Sequence, residues 1–229
     1  MSLRTSKETK NKSFSSEIRH ASSFLTGRVQ LLSMDYQKII DQFYPEENAL
    51  KRILLVHSRQ VAERALHIID AQTELSLDRT FVSEAAMLHD IGIFLCDAKG
   101  IQCFGTEPYI CHGRLGAELL RKKGWPRHAR VCERHTGAGL TKVEILAQEL
   151  PLPAQDFLPE TMEEKLICYA DKFYSKTKLG KEKTLEQAVR SLSKFGTEGV
   201  ERFLAWQQCF EPDLKSPISD LNSPEFDLK

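Results

Sequence analysis

Six residues in this chain are of the types that hold metal ions: His57, the adjacent pair His89-Asp90, His112, His135 and Asp171. Neutral imidazole and carboxylate are the usual ligands for Fe, Mn, Zn and Co. His89-Asp90 closes the apolar run Ala-Ala-Met-Leu, which sets a carboxylate against the core. A carboxylate buried without a partner costs several kcal/mol, and a metal ion compensates an imidazole and a carboxylate together. Adjacent residues on a helix point about 100° apart. In mid-helix the pair is not a same-side chelate, but at a helix end His89 can serve one ion while Asp90 bridges two. Any one of these histidines, taken alone, reads more simply as a core histidine bonded to a carbonyl. Asp171 is harder to dismiss, because aspartate is rarely buried unless paired or metal-bound; a salt bridge to Lys172 is its alternative.

The elements that must position these residues are helical. Ile53, Leu54, His57, Val61, Ala65 and Ile68 recur at spacings of three and four, one face of a long helix. Asp78 caps a second helix on which Val82, Ala86 and His89 share a stripe, and Gly92 is placed to end it. Residues 92–109, with Gly92, Gly100, Gly105 and Pro108, read as a long loop between two ligand-bearing helices. Its Phe94, Phe104 and Tyr109 either stack on a base or pack the loop down. Leu115, Leu119 and Leu120 resume the helical spacing as far as Gly124, and Pro126 opens a short helix to about His135. Thr141 with Glu144, Thr161 with Glu164 and Thr184 with Gln187 fit the capping-box pattern. A last amphipathic helix covers about 198–210. Strand-like alternation is almost absent, so the expected fold class is all-α. The expected organisation is a tail over 1–33, one domain over 34–211 and a fraying tail over 212–229.

Composition bounds the function. The chain has 229 residues, 41% hydrophobic and 28% charged, as expected of a globular protein. Lys+Arg and Asp+Glu are both 32, so no global basic field draws nucleic acid or anionic lipid. No apolar run approaches the roughly 20 residues that span a bilayer. The six cysteines form no CxxC pair and are read as reduced thiols in a cytoplasm. The expected partner is a small phosphorylated substrate, with no nucleic acid and no membrane; a homodimer is left open. His20 and His67 have no matching neighbours, and His128, beside Arg127 and Arg130, is read as solvated or at a pocket rim.

The order His57, His89-Asp90, Asp171 resembles the HD superfamily of metal-dependent phosphohydrolases, and His89-Asp90-Ile91-Gly92 matches its HDIG signature letter for letter. His112 and His135 match the two extra histidines of its dinuclear branch. The flanks Cys111-His112-Gly113, Glu133-Arg134-His135-Thr136-Gly137 and Ala170-Asp171-Lys172 are similar to bacterial HD proteins that hydrolyse diadenosine tetraphosphate. They are more similar still to bacterial and archaeal HD proteins without an assigned substrate. The resemblance covers roughly residues 50–180 and implies an HD-type helical bundle. It implies that His57, His89, Asp90 and Asp171 hold one metal, and that Asp90, His112 and His135 hold a second. Fe or Mn is the first choice for the two divalent ions, with Zn, Co, Ni and Mg as alternatives.

Such a site suits hydrolysis of a nucleotide or other small phosphoester, a dinucleoside polyphosphate among them, by a metal-bridging hydroxide. Asp90, Lys172 and Arg114 are the catalytic candidates, and Lys99, Arg134 and Thr136 the substrate-binding ones. Two alternatives use the same ligands: a mixed-valent di-iron oxygenase of HD type, and a nucleotide-binding HD module without catalysis.

Overall fold

The computed structural model describes residues 34–214. The chain divides into two units, Met1–Met34 and Asp35–Lys229. The tail expected over 1–33 lies outside the described residues, as does most of 212–229. Residues 211–214 close a turn in which the Leu214 N–H donates to Glu211 O at 3.1 Å. Gln207 Nε2 donates to the Leu214 carbonyl at 3.0 Å.

The second unit is built from helices in the order α1 (Tyr36–Phe43), α2 (Ala49–Ala71), α3 (Arg79–Leu88), α4 (His112–Lys122), α5 (Pro126–Arg134), α6 (Lys142–Ala147), α7 (Met162–Asp171), α8 (Leu185–Leu192) and α9 (Thr197–Phe210). The mostly helical architecture agrees with the expected fold class. Residues 92–109 are not a structureless loop, however. They fold into three short strands, β1 (Cys96–Ala98), β2 (Cys103–Phe104) and β3 (Glu107–Pro108), with 3₁₀ turns at Ile93–Leu95, Lys99–Ile101 and Tyr109–Cys111. β1 is central, antiparallel to β2 and parallel to β3. Strands of two or three residues are too short for alternation to appear in the sequence.

Helix starts follow the expected capping chemistry. Asn48 and Asp78 accept the Lys51 and Phe81 backbone N–H groups, and Thr141–Glu144 and Thr184–Gln187 form complete capping boxes. Thr161 caps α7, but the Glu164 carboxylate leaves the box. It accepts from the Glu160 N–H at 2.8 Å and from Arg130 Nε at 2.8 Å.

α2 packs against α3 and α7, α3 against α5, and α5 against α4 and α7. Leu54, Val61, Ala65 and Ile68 of α2, Val82, Ala85 and Ala86 of α3, and Leu166, Ile167 and Ala170 of α7 are all buried. Behind α7 the rings of Tyr169, Phe173 and Phe203 pack with centroids 5.0 to 5.9 Å apart. α1 is tied to the turn after α3: the Tyr44 hydroxyl donates to Ile91 O at 2.9 Å. Phe94 packs edge-on against Tyr44, with centroids 5.2 Å apart.

Gly92 has a role other than the expected helix stop. α3 ends at Leu88, and Gly92 has an ordinary negative φ of −87°. A Cβ there would lie 2.4 Å from both the Gly116 nitrogen and the His112 carbonyl. Gly113 is similar: its Cβ would lie 2.4 Å from Cys132 O. These glycines let the α3 turn, α4 and α5 approach at backbone contact. Gly92→Ala therefore forces backbone atoms apart, an overpacking that costs about 1–3 kcal/mol. A loss of unfolding free energy of that size, read as a lower urea midpoint at unchanged slope, is expected, and an unchanged midpoint would show that the contact relaxes freely.

His128 is buried rather than solvated or at a rim. It lies between Phe81 and Trp125, with Nε2 3.2 Å from Glu84 Oε2. Burial pushes its imidazole down to about 4. The unfolded chain takes up a proton near the ordinary pKa of about 6.5 that the folded chain refuses. Stability from this group is thus complete above that pH and is lost as pH falls from about 6.5 toward 4. Thermal melts of His128→Gln should show a shallower decline than wild type over that window; parallel curves would contradict it.

Candidate metal centre

Five elements deliver the six side chains, four of them at helix ends. His57 sits in the middle of α2. His89 follows the last residue of α3, with Asp90 next. His112 is the first residue of α4, His135 follows the last residue of α5, and Asp171 is the last residue of α7. All six are buried, and Asp90 is fully enclosed.

Asp90 lies between two histidine sets, one on each carboxylate oxygen. Oδ2 is 3.2 Å from His57 Nε2 and 3.2 Å from His89 Nε2. Oδ1 is 3.3 Å from His112 Nε2 and 3.4 Å from His135 Nε2. Asp171 Oδ1 closes the first set, 3.0 Å from His57 Nε2 and 3.6 Å from His89 Nε2. Candidate donor atoms within 4.8 Å of one another form the groups His57–His89–Asp171 and His89–Asp90–His135.

Three of the histidines share one backbone device. His89, His112 and His135 each place Nδ1 against the carbonyl three residues back: Ala86 O at 2.6 Å, Tyr109 O at 2.6 Å and Cys132 O at 2.7 Å. A carbonyl only accepts, so Nδ1 carries the proton in each ring. The Nε2 lone pairs then point inward. His112 and His135 face each other Nε2 to Nε2 at 3.0 Å, two acceptors opposed. His89 Nε2 faces two carboxylates. Neither the ring nitrogens of His57, nor His89 Nε2, nor either Asp90 oxygen makes a hydrogen bond, although all are buried and closely approached. Lys176 and Lys172 answer the outer edges of Asp90 and Asp171, and a cation among the converging Nε2 lone pairs would answer the inner side. The donor set, four imidazoles and two carboxylates with backbone carbonyls behind three rings, fits divalent metal ions.

The electrostatics agree. Burial disfavours charge on Asp90, but Lys176 and the imidazoles outweigh it and hold the carboxyl well below the usual range. Asp171 is likewise held low against its burial by Lys172 and the His57 and His89 rings. Burial also opposes charge on His89, yet Asp90 and Asp171 push its imidazole up to about 9. A proton there does what a metal ion would do. Burial, with His135 alongside, pushes His112 down to about 3. Burial lowers His135 too. Both rings are neutral, the form that ligates metal.

The residues proposed around the ligands divide sharply. Lys172 is at the site: Nζ lies 2.6 Å from Asp171 Oδ2 and donates to His135 O at 3.1 Å. Arg114 instead pairs with Glu118, one turn along its own helix. Arg134 pairs with Glu160 at 2.7 Å and approaches Glu164 at 3.5 Å. Both guanidinium groups are engaged by nearer carboxylates. Lys99 is exposed on a 3₁₀ turn. Thr136 is half-buried, and its Oγ1 lies beside Gly113 in the α4–α5 contact. Of the loop aromatics, Phe94 packs inward, Tyr109 stacks on His112 with centroids 4.6 Å apart, and Phe104 is 70% exposed.

Lys176 was not legible. Its Nζ reaches Asp90 Oδ2 at 2.6 Å, and it lies over the Tyr109 ring. Burial works against its charge, but Asp90, Tyr109 and Asp171 hold its ammonium above the usual lysine range. It stands five residues past Asp171 among several lysines, and no spacing rule singles it out. A pocket of about 380 Å³ opens beside the ligands, lined by Tyr109, Asp171, Lys172, Tyr174, Lys176 and Lys183 among others.

Comparison with known proteins places this geometry. The family model described as HD domain matches residues 54–175. A tRNA (cytidine(56)-2'-O)-methyltransferase of Picrophilus torridus is 34% identical over 159 residues, 65% of this chain and 42% of that protein. One of the same name from Thermoplasma volcanium is 31% identical over 172 residues, 75% of this chain and 45% of that protein. The protein named uncharacterized protein MJ0778, from Methanocaldococcus jannaschii, is 37% identical over 142 residues, 58% of this chain and 76% of its own length. The chain thus spans less than half of either methyltransferase. No solved structure matches. No helix among the described residues is long and apolar enough to cross a membrane.

Metal binding to the folded site stabilises by mass action, about 2.7 kcal/mol at a free concentration 100 times Kd. Chelator-treated protein should melt higher on addition of Mn, and Asp90→Asn should remove most of that rise. Equal rises in both would separate the stabilising site from Asp90.

Proposed function

Because the chain belongs to the HD-domain family, we propose that it hydrolyses a nucleotide or another small phosphoester in a metal-dependent reaction. The observation that carries this reading is the partition of Asp90, with one oxygen toward His57 and His89 and the other toward His112 and His135. On this reading His57, His89, Asp90 and Asp171 hold one divalent ion, and Asp90, His112 and His135 hold a second, with Fe or Mn the first choices. Ions held there would supply an activated water at neutral pH, since coordination lowers the pKa of water from about 15.7 to about 7.

The protein's own contributions are positional and electrostatic. Their neighbours hold the Asp90 and Asp171 carboxyls well below the usual range, so the ligand set keeps its charge near neutral pH. The backbone carbonyls behind His89, His112 and His135 hold those rings in one tautomer and one orientation. Lys172 and Lys176 set two ammonium groups at the edge of the site, where charge gathers on the phosphoryl oxygens during in-line displacement. Buried ring faces keep bulk water from the ligand atoms. The methyl transfer named for two relatives belongs to proteins of which the matched stretch is less than half.

The test is a panel of phosphoesters offered to protein loaded with Mn or Fe(II). His89→Ala and Asp90→Ala should each abolish metal-dependent phosphate release. An Asp90 variant that keeps both metals and full activity would contradict the bridging role. A mixed-valent di-iron signal in the electron paramagnetic resonance spectrum, with no phosphate released from any ester, would point to the oxygenase instead.

A further inference from the structure

The segment that follows Asp171 carries a local concentration of positive charge in a chain that is neutral as a whole. Residues 172–194 hold seven lysines and arginines against two glutamates. One of the two, Glu182, is paired with Arg64. The fold gathers these cations around a second pocket of about 830 Å³, which Lys178, Lys181, Lys183, Arg190 and Lys194 help to line. This outer pocket shares Ser175, Thr177 and Lys183 with the pocket at Asp171, Lys172 and Lys176. A continuous cationic groove therefore leads from the metal ligands outward.

Holding like charges together is unfavourable unless something answers them. Lys176 and Lys172 are answered by Asp90 and Asp171. Lys183 is half-buried and donates to the Lys172 carbonyl at 3.1 Å. Burial, with the Lys172 and Lys176 ammonium groups nearby, draws it below the usual lysine range despite Asp171. Lys178, Lys181, Arg190 and Lys194 are exposed, with polar neighbours Ser191 and Gln187.

We propose that this groove is a subsite for a linear chain of phosphates, free or carried by a nucleoside, running outward from the group at the metal ligands. The proposal deepens the hydrolase reading and rests on it. A single phosphate at the metals would occupy only the inner pocket, and the cations that line the outer one suit further anionic charge on the same ligand. A single-stranded nucleic acid is the less favoured occupant, because such grooves interleave aromatic platforms for the bases. The outer pocket is lined by no aromatic ring.

The test is calorimetric titration of metal-stripped protein with tripolyphosphate, with orthophosphate and with a polyuridylate oligonucleotide. Tripolyphosphate should bind at least about tenfold tighter than orthophosphate, and added salt should weaken it. The triple variant Lys178→Ala/Lys181→Ala/Lys194→Ala should lose that preference, while Lys178→Arg/Lys181→Arg/Lys194→Arg keeps it. Equal binding of the two phosphates overturns the proposal. So does undiminished tripolyphosphate binding by the triple alanine variant, or a polyuridylate that displaces tripolyphosphate. Phosphate release from a monoester by Mn-loaded protein, without the tripolyphosphate preference, removes the groove and keeps the hydrolase. Tripolyphosphate binding with no release from any ester removes the hydrolase and keeps the anion site.

Discussion

A carboxylate with no exposure to solvent dominates this structure. Asp90 lies in the centre of the helical unit, where an unanswered charge would cost several kcal/mol. Its answers come from four other segments: His57 of α2, His112 at the start of α4, His135 at the end of α5 and Lys176 beyond α7. None of these approaches is local in sequence. The packing of α2, α3, α4, α5 and α7 is thus bound up with the electrostatics of one side chain, and a divalent ion among those donors would join all five helices.

The helix ends matter as much as the helices. A histidine at a helix terminus can turn Nδ1 to the carbonyl three residues back and present Nε2 away from the chain. Three of the four histidines use that arrangement, and glycines at 92 and 113 let the termini meet without intervening side chains. Preorganisation of this kind removes the freedom that flexible ligands would otherwise lose on binding an ion. The cationic groove follows the same economy. The segment that leaves α7 at Asp171 also carries Lys172, Lys176 and Lys183, so the candidate ligand and its flanking charges share one stretch of backbone.

Much of the centre was legible because it used strong local signals. His89-Asp90-Ile91-Gly92 is a contiguous signature, and His57 and Asp171 fall on apolar helical stripes where polar residues need a reason. Helix starts were readable from Asp78, Thr141 and Thr184, whose capping chemistry acts within one turn. The failures were of another kind. Arg114 and Arg134 stand beside ligands in sequence, but Glu118 and Glu160 are nearer to their guanidinium groups in space. His128 sits among arginines in the chain, yet Phe81 and Trp125 enclose it. Lys176 has no mark in the sequence beyond being one lysine among several.

By itself the sequence determined the helical class, the candidate ligands and the family, because periodicity, capping and a four-residue signature depend on neighbours a few positions away. Only the tertiary structure decided that Asp90 turns one oxygen to each histidine pair, that Lys176 reaches the centre while Arg114 and Arg134 do not, and that the lysines after Asp171 line one groove. Those outcomes depend on which charges meet across helices, and distance in space, not position in the chain, sets the strength of each contact.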